Sequence, residues 1–269
     1  MSNQHTAFVG SIPENYDKYM GPIFFDPYAA DMINRLPTTQ PMSVLELACG
    51  TGILTRKLRD HLPASVNLMA TDLNQTMIDF ARRKFRPDEA IEWQAADATN
   101  LPFTDASFDL VVCQFGLMFL PDKLAGMREA YRVLVPSGTF LFNVWDALEQ
   151  NEISLIVQET MKRLFATNPP LFYETPFGFH DEKIIETMLK QTGFKEIELA
   201  VVQLTGRSPS ATAAATGLVE GTPLIGQLKE RDAASIPEIV KAVASAISTR
   251  YGEGMIECQN QALVCRAVR

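Results

Sequence analysis

Glu46 sits inside an apolar run, Val44-Leu45-Glu46-Leu47, that leads directly into Ala48-Cys49-Gly50-Thr51-Gly52. A strand, a glycine-rich turn and the start of a helix near Ile53 make a ligand cradle. Glycines let the backbone come close to a ligand, and the first turn of the helix offers free N–H groups and a positive dipole end. Asp72 closes a second β-rich run 20 residues after Gly52, where a carboxylate can accept hydrogen bonds from both hydroxyls of a ribose. Asp97 closes a third run, where it can accept from an adenine amino group. An Asp at a strand end also caps the next helix, so the chemical reading rests on the three features occurring together.

A dinucleotide-binding domain shares this layout and would make the chain an NAD-dependent oxidoreductase. Its third glycine would fall on Thr55, and it gives no reason for an acid at Glu46, which disfavours a nearby pyrophosphate. A cationic cofactor reverses that sign.

The elements that must position these groups follow from periodicity. Between residues 43 and 145 short β-rich runs alternate with helical patterns, which predicts βαβ units and a parallel sheet. Strands are expected at 43–48, 67–73, 91–97, 108–114 and 139–145. Helical faces are read from Met77, Ile78, Ala81 and Phe85, and from Leu124, Met127, Tyr131 and Leu134. A helix carrying Ile184, Ile185, Met188 and Leu189 should stop at Gly193 in a left-handed cap. Two last strands, 196–204 and 257–268, would form an antiparallel pair at the edge. Ser235 with Glu238 reads as a capping box before another helix, and the Ala/Thr-rich tract at 210–217 as a small-residue helix.

The ordered motifs ELACGTG, ATDLN, AADATNLPFTDASFDLVVCQFGLMFLPD and EAYRVLVPSGTFLFNVWD resemble motifs I, post-I, II and III of the class I S-adenosylmethionine-dependent methyltransferases. The resemblance is close over residues 43–146, is of the methyltransferase type 11 kind, and in its core is similar to quinone-pathway C-methyltransferases. It implies an α/β, Rossmann-like three-layer sandwich with a seven-stranded, mostly parallel sheet, an antiparallel last strand and helical insertions forming a lid. The whole of 1–269 would be one domain, with a helical lid at 1–40, a cofactor core at 43–146 and substrate-side insertions at 146–180 and 208–254.

Carried over by motif, the resemblance implies that Glu46 orients the methionine ammonium of S-adenosylmethionine, and that Ala48, Cys49, Gly50, Thr51 and Gly52 wrap the methionine portion. Asp72 would hold the ribose, Leu73 and Met77 would flank the adenine, and Asp97 with Ala98 would read its edge. Gln114 and Phe115 would sit beside the sulfonium and face the acceptor, leaving S-adenosylhomocysteine as product. Ala48 departs from the family's first glycine and limits how closely the backbone approaches the cofactor.

The acceptor is expected to be a small, partly apolar organic molecule, because Phe24, Phe25, Phe115, Phe119, Phe172, Tyr173 and Phe177 occupy the segments that would line its pocket. Tyr16, Tyr19 and His180 are the candidates for a base or an orienting hydroxyl. A lid drawn from residues 8–28 and 146–180 would order over the cofactor. A silent cofactor-binding regulatory module is the second reading.

Other partners fit poorly. With 24 Lys+Arg against 32 Asp+Glu the net charge is -8, which repels nucleic acid, and NPPL at 168–171 lies beyond the fifth strand rather than after the fourth, where amino-methylating DNA enzymes carry such a motif. Four scattered cysteines and three separated histidines suggest neither a metal site nor a disulfide framework, and arsenite methylation would need thiols that converge. No signal peptide or membrane-spanning run is legible, so a cytoplasmic protein is expected. Acceptor identity, the atom methylated and oligomeric state are not legible in the sequence.

Overall fold

A computed structural model describes residues 12–37, 39 and 41–269. Seven strands form one sheet: β1 Ser43–Leu47, β2 Asn67–Asp72, β3 Ile91–Ala95, β4 Phe108–Gln114, β5 Leu134–Trp145, β6 Lys195–Ser208 and β7 Ile256–Val268. Their spatial order is β3-β2-β1-β4-β5-β7-β6. The first five run parallel, and β7 runs antiparallel between β5 and β6. This is the doubly wound sheet that the alternating pattern predicts, with its reversed last strand. Chain order changes direction between β1 and β4, and ligands of such sheets bind outside the carboxyl ends at that point.

The helices that complete the layers are α1 Ile12–Asn15, a π-helix Tyr16–Phe25, α2 Asp26–Asn34, α3 Ile53–His61, α4 Gln75–Arg82, α5 Lys123–Val133, α6 Glu152–Leu164, α7 Glu182–Thr192, α8 Ala211–Glu220, α9 Leu224–Asp232 and α10 Ile236–Tyr251. Side chains alternate across β1, so Leu45 and Leu47 join Met127 and Ala130 of α5 and Ile185 of α7 on one face. Val44 joins Ala29 and Met32 of α2 and Leu54 and Leu58 of α3 on the other. Burial on both faces is why β1 and β4 read as continuous apolar runs. Glu46 shares the α3 face with Val44, an acid where the pattern calls for an apolar side chain.

Four expectations are corrected. Leu134 is the first residue of β5, paired with Phe108, because the chain leaves α5 at Val133. Phe85 lies beyond the end of α4 and packs edge-on against Trp93, 5.2 Å between ring centres. The third strand stops at Ala95, two residues short of Asp97. Ser235 does not cap: its backbone is already helical and its hydroxyl donates to Asp232 O at 2.8 Å, so the Ser235–Glu238 box does not form. Gly193 does end α7 in the left-handed region, at φ 109°, and 211–220 is the small-residue helix α8.

A roof of α6, α8, α9 and α10 stands beyond the strand ends, with the π-helix against α8. The expected lid over 1–11 lies outside the described residues. The remainder, from Ile12 to Asn34, is packed in place. Asn260 Nδ2 donates to Ile23 O at 2.8 Å, and the Tyr28 hydroxyl lies 2.7 Å from Asn260 O and 2.9 Å from Val202 O. Tyr28 thus anchors the segment to β6 and β7 rather than facing a ligand. Lys84 clamps Asp17 at 2.5 Å on the opposite side.

Candidate active site

The glycine turn leaves β1 in a conformation only part of which suits ordinary residues. Ala48, Gly50 and Gly52 have φ of 52°, 55° and 79°, the left-handed region that glycine enters without strain. Phe115, just after β4, has φ 53°, an outlier for a bulky residue and of the kind held in place at functional sites. The two turns meet. A Cβ on Gly116 would stand 2.5 Å from Ala48 Cβ and 2.7 Å from Cys113 Sγ, so only glycine lets the β4 turn close on the β1 turn. The alanine that departs from the family pattern is therefore accommodated by its neighbour.

Between these turns and the π-helix lies a narrow cleft lined by Tyr16, Phe25, Glu46, Ala48, Cys49, Gly50, Thr51, Ile53, Leu54 and Gln114. Glu46 is 1% exposed, and its Oε2, like the Thr51 hydroxyl, has no hydrogen-bond partner. Burial pushes the Glu46 carboxyl up to about 8, the charge of Asp72 adds to this, and the first turn of α3 at Thr55 opposes it. A buried acid with an unpartnered oxygen is costly unless a cation or donor meets it. That is the fit expected for an ammonium group. Cys49 is buried beside it and its thiol is pushed up by burial, which keeps it unreactive.

Asp72 is 7% exposed and already holds the turn: Gly50 N–H donates to Oδ2 at 2.9 Å and Asn74 N–H donates to Oδ1 at 2.8 Å. Oδ1 also accepts a longer bond from Asn74 Nδ2 at 3.4 Å, which leaves the second lone pair of Oδ2 open to a ribose hydroxyl. Burial raises the Asp72 pKa and these backbone bonds pull it back. Leu73 beyond it is 53% exposed, while Met77 on α4 is buried. Asp97 is exposed and accepts from Thr99 N–H at 2.8 Å and Thr99 Oγ1–H at 2.7 Å, both at Oδ1. Ala98 beside it is half-buried.

Gln114 donates from Nε2 to Phe25 O at 2.8 Å and so ties the end of β4 to the π-helix. Phe115 stacks on Trp145 at 3.7 Å and 9°. Behind it opens a second, partly open cavity lined by Tyr16, Met20, Phe24, Phe25, Phe115, Met118, Phe119, Trp145, Ser154, Phe172, Tyr173, Pro176, Phe177 and Thr222. All seven aromatic residues expected at the acceptor pocket are on its wall. Tyr16 and Phe25, stacked at 4.5 Å, belong to both cavities and form the partition between them. Burial and the charges of Asp72 and Asp17 push the Tyr16 phenol well above its ordinary range.

The other two candidates lie elsewhere. Tyr19 packs its Cβ against Gly217 of α8, with Lys18 over its ring at 4.8 Å, and lines neither cavity. His180 is exposed and its Nδ1 lies 2.7 Å from Phe177 O. Trp145, Ser154 and Thr222 were missed. Trp145 was detectable as the carboxyl end of β5, but nothing in the sequence marks Ser154 or Thr222.

A doubly wound sheet with a reversed last strand, an acid before a glycine turn and a carboxylate ending β2 define a class I S-adenosylmethionine-dependent methyltransferase. The profile of the family described as "Methyltransferase domain" matches residues 45–142. The demethylmenaquinone methyltransferase of Lactobacillus johnsonii is 33% identical over 173 residues, 60% of this chain and 70% of that protein. That of Lactococcus lactis subsp. lactis is 28% identical over 208 residues, 70% of this chain and 81% of that protein. Among solved structures, a phosphoethanolamine N-methyltransferase 2 of Haemonchus contortus in complex with S-adenosyl-L-methionine has a TM-score of 0.63 at 18% identity, covering 100% of this chain and 60% of that one. The chain belongs to the class I S-adenosylmethionine-dependent methyltransferases. It is an enzyme that uses S-adenosylmethionine, and its acceptor is a small, partly apolar molecule. No group of His, Cys, Asp or Glu among the described residues could hold a metal ion, and no helix among them is long and apolar enough to cross a membrane.

Proposed function

We propose that the acceptor is a flat, uncharged aromatic of the quinol type, methylated in the cavity behind Tyr16 and Phe25. The observation that carries this reading is the wall of that cavity: aromatic rings from the π-helix, β5 and residues 172–177, and no charged side chain among its fourteen residues. A phosphorylated acceptor would lose its hydration there without a partner. The names of the bacterial relatives, demethylmenaquinone methyltransferases, support an aromatic of this kind.

S-adenosylmethionine, when bound, supplies a methyl group already activated on a sulfonium. The chain's residues then have to hold, align and shield. Glu46 receives the methionine ammonium, the backbone from Ala48 to Gly52 closes around the methionine portion, and Asp72 accepts from the ribose. Leu73 and Met77 flank the adenine, while Asp97 with Ala98 meets its edge. Gln114 and Phe115 line the two cavities where they meet and would face the methyl group of the bound cofactor. Tyr16 works as a neutral ring and hydroxyl at the partition, since a phenol pushed so far up does not serve as a base near neutral pH. Its face suits a neighbouring positive charge.

Residues 12–34 and 146–180 make the cover over this junction, and 43–146 the cofactor core, within one domain. All four cysteines are free and buried, which supports a reducing, cytoplasmic setting. The acidic balance of the chain supports a small molecule over nucleic acid. The test is turnover with methyl-labelled S-adenosylmethionine on 1,4-dihydroxynaphthalene, beside phosphoethanolamine, tRNA and DNA. Label in the naphthalene product alone is expected. Label in any of the others instead, or label in none of them but in another compound of a metabolite extract, overturns the reading.

A further inference from the structure

The buried face of α6 carries two side chains with an unpartnered polar atom, Ser154 and Gln158. Ser154, on that face, is 0% exposed, lines the acceptor cavity, and its hydroxyl has no hydrogen-bond partner. Thr160, further along the same helix, turns its hydroxyl back to Ile156 O at 2.8 Å, whereas Ser154 stands in the first turn, where the residue four earlier, Gln150, lies outside the helix, and its hydroxyl is left without a partner. Gln158 stands one turn further along the same face, is 1% exposed, and donates from Nε2 to Pro170 O at 3.2 Å while its Oε1 has no partner.

The other hydroxyls on the wall away from the cofactor cleft are already used. Tyr173 donates to Leu218 O at 2.8 Å and Thr222 donates to the same carbonyl at 3.2 Å. Alanine would fill the Ser154 position with better helix propensity and no orphaned oxygen. The cavity is otherwise apolar, so an unsatisfied hydroxyl in its wall has one natural partner, a polar atom of what the cavity holds.

We propose that Ser154 is a specificity-determining residue that forms a hydrogen bond with an oxygen, hydroxyl or carbonyl, on the ring system of the methyl acceptor, with Gln158 extending the polar strip behind it. This deepens the acceptor reading given above, since it assumes that the apolar cavity is where the acceptor binds. It means that the site selects for an oxygenated aromatic over the bare hydrocarbon of the same shape. Such a site discriminates strongly, because the analogue lacking the oxygen leaves the protein group unpaired.

The experiment compares wild type and Ser154→Ala, each saturated with S-adenosylhomocysteine, in saturation-transfer NMR titrations with 1-naphthol and with naphthalene. Wild type is expected to favour naphthol by about 10-fold or more, and Ser154→Ala to lose most of that preference. In turnover the variant should raise KM for a hydroxylated acceptor with kcat largely kept, the signature of an interaction present equally in ground and transition states. The melting temperature of the unliganded variant should hold or rise, because an unsatisfied group has been removed. A wild type without preference for naphthol, a preference retained in Ser154→Ala, or a clear fall in melting temperature overturns the proposal, the last by showing that the hydroxyl is used within the fold. Lack of turnover on 1,4-dihydroxynaphthalene with the naphthol preference intact would sink only the quinol reading.

Discussion

Glu46 makes cofactor binding a proton-releasing event. With its carboxyl raised to about 8, about nine-tenths of the molecules carry the proton at pH 7 before ligand arrives. An ammonium placed against the unpartnered Oε2 favours the ionised form and brings the acid back toward its ordinary value. Binding of S-adenosylhomocysteine should then release about 0.9 proton at pH 7 and about 0.5 at pH 8. Affinity should climb by roughly 50-fold from pH 6 to pH 8, provided that the bound carboxyl titrates below pH 6. Calorimetry in buffers of different ionisation enthalpy reads the proton number from the slope of the observed enthalpy. Glu46→Gln should bind more weakly and release none. The unliganded protein shows the reverse face of the same shift. An acid whose folded pKa lies above its unfolded value loses stability as pH rises from about 4.5 to about 8, and the full shift corresponds to an upper figure of about 5 kcal/mol. Proton release that is nil in the wild type, or unchanged in Glu46→Gln, would refute both the ammonium assignment and the pairing argument.

Further outcomes follow from the same geometry. Asp72→Ala should weaken S-adenosylhomocysteine by about 1.5 to 3 kcal/mol, measured by calorimetry, and unchanged affinity would remove the ribose assignment. Because Asp72 also holds Gly50 N–H, hydrogen exchange of the 48–52 turn should quicken in the same variant. Tyr16→Phe should keep activity within about 10-fold and leave the pH profile without a new break, whereas a lost alkaline or acidic limb would make the phenol a base after all. Hydrogen exchange with and without S-adenosylhomocysteine should show new protection at Ile12–Met20 and in 146–180, with Ile23–Tyr28 protected in both states by Asn260 and the Tyr28 hydroxyl. Equal protection of all these segments in both states would make the cover fixed structure.

Local sequence determined the sheet and the cofactor turn. Both faces of β1 and β4 are buried, so their apolar runs stand out. Gly50, Gly52 and Gly193 sit where φ is positive, and Asp72 ends its strand, all features carried by one residue or its near neighbours. Boundaries slipped where the tertiary structure overrode the local pattern: Leu134 fits a helical face by spacing but pairs with Phe108 in the sheet, and Ser235 has the capping pattern but a helical backbone. The acceptor cavity was legible only as a set of aromatic residues in three unconnected segments. Which of them share a wall, and that Tyr16 stands between two cavities while Tyr19, three residues on, faces Gly217, depends on how the π-helix sits against β6, β7 and α8. Ser154 is the clearest case. A serine in a helix carries no mark in sequence, and it gains a chemical meaning only when packing buries it on a cavity wall and leaves its hydroxyl without a partner, because solvation and pairing are properties of the whole fold rather than of the local chain.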